Sequence, residues 1–219
     1  MSLLSELGKK HGTDKVDGGH TLMGKNYCDI YDFWFAEKRH EVKKFVEIGI
    51  RGGQSLRMWK DYFPNAEIIG IDIDPQCNRH QEERITCIIG DQNDDDFLSN
   101  VKEQIGEYDI LLDDGSHITK HQIKTFDYLY ENCKSGGFYV IEDLSNSYEE
   151  VLNHHDIRTH WDGMKYNKPE DSLKNFRVDF DDFIKDKVKD LDMRNILNTT
   201  GKMGAIHHYP YIVIFENVE

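Results

Sequence analysis

Five times before residue 145 the chain repeats one phrase: a short apolar run, a turn carrying glycine or carboxylates, then a helical pattern. The runs are residues 45–50 (FVEIGI), 67–73 (EIIGIDI), 84–89, 108–113 and 138–141. Between them, Leu56, Trp59 and Phe63 share one side of a helix over 54–63 that Pro64 ends, and 94–105 opens with acidic residues that suit a helix dipole. Ile123, Phe126, Leu129 and Tyr130 mark the next helix, closed by SGG at 135–137. Strand and helix alternating through short connections specify a parallel, doubly wound sheet. Ligands of such sheets bind beyond the carboxyl ends of the strands, where strand order reverses. Every chemically distinctive motif here falls just after a strand. The ending GAIHHYPYIVIFENV reads as two more strands turning at Tyr209-Pro210. The expected architecture is α/β and Rossmann-like: a doubly wound, mostly parallel seven-stranded sheet with a C-terminal β-hairpin.

Flanking this core, residues 2–11 form a short helix, with Leu3, Leu4 and Leu7 at helical spacing. Residues 26–35 place Tyr27, Ile30, Tyr31 and Trp34 on one helical face. Residues 1–40 therefore read as an N-terminal helical cap or lid over a domain of residues 41–219, the whole forming one globular unit. Residues 145–170 are irregular and polar, and Leu173, Phe176, Phe180, Phe183 and Ile184 mark another amphipathic helix.

Composition narrows the partners. Acidic residues number 41 against 27 basic, a net charge of −14, and no basic stripe offers a face to nucleic acid. The four cysteines, Cys28, Cys77, Cys87 and Cys133, are too dispersed for a zinc knuckle or a disulfide framework. No apolar run approaches the ~20 residues of a membrane span, and MSLLSELGKKHG lacks a signal-peptide core. A cytoplasmic protein is expected, with a homo-oligomer as one possibility for its assembly.

The chemistry concentrates in LLDDGSH (111–117) and YVIED (139–143). If these strands are neighbours, roughly 4.8 Å apart, Asp114, Glu142 and Asp143 meet at one sheet edge with His117 beside them. Clustered carboxylates repel one another, and a hard cation such as Mg²⁺ or Mn²⁺ relieves that cost. Asp113 finishes the strand or caps the next helix; Asp114, past the turn, is the better ligand. Imidazole suits a general base at neutral pH, so His117 is placed to take a proton from a hydroxyl. Acids after a strand also cap helices without any metal. A zinc pair of His117 and His121 lacks a third ligand at recognisable spacing. His154, His155 and His160, in the irregular segment, could instead touch an acceptor.

A second motif, EIGIRGG (47–53), has the form E-x-G-x-x-x-G, not the GxGxxG of a dinucleotide loop. Its leading acid suits a cofactor with a cationic amino-acid end, such as S-adenosylmethionine (SAM). Asp72 closes the second strand 23 residues after Gly49, the place of a ribose-binding carboxylate. Asp91 and Gln92 after the third strand fall near an adenine.

In order, GTDK, EIGxxxGxSLRMW, GIDID, GDQND, DDGSH and YVIEDL resemble the metal-dependent sugar O-methyltransferases of the mycinamicin and macrocin type. The resemblance runs from about residue 10 to 148. It implies a class I SAM-dependent methyltransferase fold, Mg²⁺ on Asp114 and Asp143, and His117 as base. It places Glu47, Gly49, Gly53, Asp72 and Asp91 around SAM, with Ser55, Gln92 and Asp113 beside them. Glu142 is a further metal candidate from a similar cephalosporin-modifying branch. The acceptor implied is a sugar hydroxyl on a nucleotide-linked sugar, a capsular or surface polysaccharide, or a glycoside precursor. The macrolide enzymes carry an additional N-terminal domain without counterpart in these residues, so the acceptor is what the resemblance defines least. Two other readings share the scaffold: a related small-molecule-modifying enzyme, and a non-catalytic SAM-binding subunit.

Overall fold

The sheet is built outward from Lys44–Ile48 (β1), whose residues are buried on both faces except at its start. Glu67–Asp72 (β2) and Ile85–Ile89 (β3) add to one side; Tyr108–Asp113 (β4) and Cys133–Ile141 (β5) add to the other, all parallel. Ile212–Asn217 (β7) pairs antiparallel with β5, and Met203–Tyr209 (β6) pairs antiparallel with β7. The order is β3-β2-β1-β4-β5-β7-β6. This is the doubly wound seven-stranded sheet with a terminal hairpin that the sequence pattern predicts. The computed structural model describes residues 1–16, 26–144, 177–197, 201–209 and 211–218.

Helices cover both faces. Leu3–His11 (α1), Tyr27–Phe35 (α2) and Gln54–Tyr62 (α3) enclose one core with Leu4, Tyr31, Phe35, Phe45, Trp59 and Phe63. Asp95–Ile105 (α4), Thr119–Leu129 (α5) and Arg177–Leu197 (α6) enclose the other, where Phe126, Phe183 and Phe215 meet. Capping residues set the helix starts: Ser2, Asn26 and Asp94 each accept a backbone N–H from the first turn. The alternation of β1 sends Phe45 and Glu47 towards α3 and Val46 and Ile48 towards the other core. Glu47 is thus a carboxylate in the middle of an apolar layer.

Boundaries differ from the sequence pattern in one instructive place. SGG does not end the helix before it; β5 begins at Cys133 and runs through all three residues. The β4–β5 register slips between Tyr108 and Ile110, and the glycines lie opposite that irregularity, where periodicity carries no signal. Leu173, Phe176, Pro210 and all of 145–170, with His154, His155 and His160, lie outside the described residues. Among those described, no helix is long and apolar enough to cross a membrane.

Candidate active site

Strand order reverses between β1 and β4, and the register aligns their ends: Ile48 faces Asp113, and Asp113 faces Ile141 of β5. The backbone continues this pairing past the strands. Asp114 N–H donates to the Ile48 carbonyl (2.9 Å), and Glu142 N–H donates to the Asp113 carbonyl (3.0 Å). Asp114 and the Glu142-Asp143 pair therefore emerge side by side at the reversal point.

There, Asp114, His117 and Asp143 can offer one ligand atom each within 4.8 Å of one another. His117 Nε2 lies 3.9 Å from Asp114 Oδ1 and 3.5 Å from Asp143 Oδ2. All three side chains are partly open to solvent. His117 and Asp143 both hold left-handed backbone, φ +54° and +58°. Such conformations cost about 1–3 kcal/mol each and gather at functional sites.

Glu142 is directed elsewhere. β5 ends at Ile141 and the chain turns through left-handed backbone at Asp143, which faces His117 while Glu142 turns inward, 1% exposed. It accepts from the Lys15 ammonium (2.7 Å) and the Tyr31 hydroxyl. Lys15 also donates to Asp114 Oδ2 (2.6 Å) and stands 3.7 Å from Glu47. Burial alone would lower its pKa, but Asp114, Glu142 and Glu47 outweigh burial and hold the ammonium well above its usual range. One cation is shared by three carboxylates. Burial, then the Asp114 charge, accordingly still keeps Glu142 well above the carboxylate range, although Lys15 opposes them. Tyr27 donates to Asp143 Oδ1 (2.9 Å).

The glycine loop is held from beneath. Asp72 Oδ2 accepts the N–H groups of Ile50 and Arg51, both at 2.9 Å, and its Oδ1 accepts that of Asp74. Glu47 accepts the Ser55 hydroxyl (2.7 Å) and the Trp59 indole N–H (3.3 Å), fastening the start of α3 to the end of β1. Burial pushes Glu47 up to about 7, with Lys15 opposing. Gly49 has φ +85°, and a Cβ there would lie 2.0 Å from the Asp114 carbonyl oxygen. Loop and carboxylate turn thus touch backbone to backbone. Gly53, φ +71°, opens α3 against the His80 ring.

Gln92 and Asp113 work as a pair. Gln92 Nε2 donates to both Asp113 oxygens (3.2 and 3.3 Å), and its Oε1 accepts the Ser116 N–H (2.6 Å). Asp113 also accepts the Gly115 N–H, and the pair shapes the turn that aims Asp114 and His117. Asp91, in the turn after β3, accepts the Asn93 N–H. His121 Nδ1 is 3.0 Å from the Ser116 hydroxyl, which ties the start of α5 to the same turn.

Burial pushes Asp113 up to about 6, although Gly115 and Gln92 favour its charged form. A carboxyl raised in the fold gives stability that is complete below its unfolded pKa, near 4, and lost as pH rises through 6. Asp113→Asn should therefore gain on the parent by on the order of 2–3 kcal/mol between pH 4 and pH 7. Urea unfolding of both proteins at each pH measures this, and a constant gap would mean that the buried carboxyl ionises without penalty.

Three contributors carry no individual site assignment in the sequence pattern: Lys15, Tyr27 and Tyr31. Lys15 shows itself only as the last letter of GTDK. Tyr27 and Tyr31, one helical turn apart, look like core residues in the sequence.

No family model matches the chain. Relatives do. Demethylmacrocin O-methyltransferase of Streptomyces fradiae is 40% identical over 152 residues, 66% of this chain and 37% of the relative. Mycinamicin VI 2''-O-methyltransferase of Micromonospora griseorubida is 39% identical over 153 residues, with the same coverage of both chains. A tetracenomycin-C rhamnosyl 3'-O-methyltransferase of Streptomyces olivaceus is 39% identical over 152 residues, again 66% and 37%. The chain spans well under half the length of these curated relatives. Among solved structures, MycE methyltransferase from the mycinamycin pathway, in complex with Mg and SAH, superposes with TM-score 0.73 at 28% identity. That match covers 98% of this chain and 54% of the other. At 13% identity, a caffeoyl-CoA O-methyltransferase-like structure from Staphylococcus aureus shares the fold alone, TM-score 0.55.

Sheet order and the placement of its loops define a class I methyltransferase fold. Over 66% of its length, the chain is similar to sugar O-methyltransferases of the mycinamicin and macrocin type.

Proposed function

We propose that this chain transfers the methyl group of SAM to a sugar hydroxyl, with a divalent cation held by Asp114 and Asp143 and His117 as general base. The observation that carries this is the convergence of Asp114, His117 and Asp143 at the strand-order reversal, touching the glycine loop. The donor set fits Mg²⁺ or Mn²⁺: carboxylate oxygens of Asp114 and Asp143, with enough exposure for retained waters. Glu142 is the weaker candidate ligand, since both its oxygens already accept from Lys15 and Tyr31. When bound, the metal acidifies the acceptor hydroxyl and neutralises the oxyanion that develops on it.

The protein's own groups supply the rest. His117 Nε2 accepts the hydroxyl proton, and Asp143 Oδ2 at 3.5 Å steadies the resulting imidazolium. The loop from Gly49 to Gly53, propped by Asp72 and Glu47, holds SAM so that oxygen, methyl carbon and sulfur lie in line. Ser55, Asp91, Gln92 and Asp113 act around that pocket, the last two by fixing the turn. The relatives' names refer to tetracenomycin, demethylmacrocin and mycinamicin compounds. They favour a glycoside over a nucleotide-linked sugar or a polysaccharide precursor as acceptor.

Calorimetric titration of S-adenosylhomocysteine, with Mg²⁺ and again with chelator, tests this without knowing the acceptor. Micromolar binding that changes with the metal is expected. A panel of glycosides and nucleotide-sugars, read by mass for one added CH₂, then identifies the acceptor. No binding in either condition, from a folded sample, removes the cofactor assignment.

A further inference from the structure

Each of the two carboxylates turns one oxygen towards His117 and has the other occupied. Asp114 Oδ1 is 3.9 Å from His117 Nε2, while its Oδ2 accepts from Lys15 at 2.6 Å. Asp143 Oδ2 is 3.5 Å from the same nitrogen, while its Oδ1 accepts the Tyr27 hydroxyl at 2.9 Å. Both donors come from the N-terminal segment, far in sequence from the strand-end motifs. Neither is a loose surface partner. The Lys15 side chain is 3% exposed and also held by Glu142, and Tyr27 is buried against the Tyr31 ring.

We infer that Lys15 and Tyr27 are positioning residues that restrict Asp114 and Asp143 to one oxygen apiece, and so select Mg²⁺ or Mn²⁺ against Ca²⁺. The inference rests on the reading of Asp114 and Asp143 as metal ligands. Ca²⁺ takes about six to eight oxygens in flexible geometry and commonly chelates both oxygens of a carboxylate. Mg²⁺ requires a near-regular octahedron and is satisfied by single carboxylate oxygens completed by water. An ammonium or hydroxyl seated on the second oxygen therefore removes a ligand that Ca²⁺ would use and Mg²⁺ would not. A charged donor buried in this way also resists displacement, unlike an exposed ion pair.

The test is a competition. Mn²⁺ bound to the full chain is followed by electron paramagnetic resonance and displaced by Mg²⁺ or by Ca²⁺, for the parent, Tyr27→Phe and Lys15→Met. Tyr27→Phe keeps the ring and deletes one hydroxyl. It should shift the Ca²⁺-to-Mg²⁺ affinity ratio towards Ca²⁺ by about tenfold, the lower end of outer-shell effects on metal affinity. Lys15→Met should shift it the same way; should that variant fail to fold, Tyr27→Phe decides alone. Bound Mn²⁺ with an unmoved ratio overturns the selection role and leaves the metal site standing. Loss of all binding from a folded variant also overturns it, because the donors would then build the site and not select at it. A parent that binds no Mn²⁺ removes the metal reading itself, and this inference with it.

Discussion

His117→Ala is expected to lower methyl transfer by roughly 10²–10⁴-fold, the usual contribution of a positioned general base. S-adenosylhomocysteine should bind as before, because His117 belongs to the carboxylate turn and not to the glycine loop that Asp72 props. The two readouts together matter. A base acts on the acceptor proton, so its loss should fall on turnover and spare cofactor affinity. Loss of both would point to a collapsed turn, since His117 sits in left-handed backbone beside Asp114. Full turnover would remove His117 from the chemistry and leave the proton to Asp114 or Asp143.

Gly49→Ala should have the largest effect on stability, a loss on the order of 3–5 kcal/mol. Two costs add there. The backbone is left-handed, and a methyl group would stand 2.0 Å from the Asp114 carbonyl oxygen. Backbone has no rotamer with which to step aside. Gly12 separates the two costs: it has φ +70° with nothing within 4 Å of its Cβ position. Gly12→Ala should lose only about 1 kcal/mol, the conformational part. Urea unfolding of both variants decides between them. Equal losses would mean that the loop moves off the Asp114 turn at little cost.

Much of this molecule is legible before any coordinates, for a local reason. Residues 44–48, 67–72 and 108–113 advertise themselves by short apolar runs, and the closing Asp72 and Asp113 of the last two mark strand ends near which the site forms. What the chain conceals is who partners whom. Asp72 stands where a ribose-binding carboxylate belongs, yet only the fold reveals that it also accepts two loop N–H groups. Glu142 and Asp143 are adjacent letters of equal promise, and only the turn beyond β5 sends one to Lys15 and the other to His117. Lys15 and Tyr27 are hidden more deeply. Their partners lie 99 to 127 residues away, and no periodicity spans that distance.

The same separation has a meaning in time. Lys15 leaves the ribosome long before the carboxylates it will neutralise; Glu142 follows 127 residues later. At about 5–20 residues per second, that is a delay of roughly 6–25 s. Glu47 is made soon after Lys15, but Asp114 and Glu142 can join the ammonium only once the strands that carry them exist. The buried acid cluster therefore cannot be complete until β5 has been made, with β6 and β7 still to come.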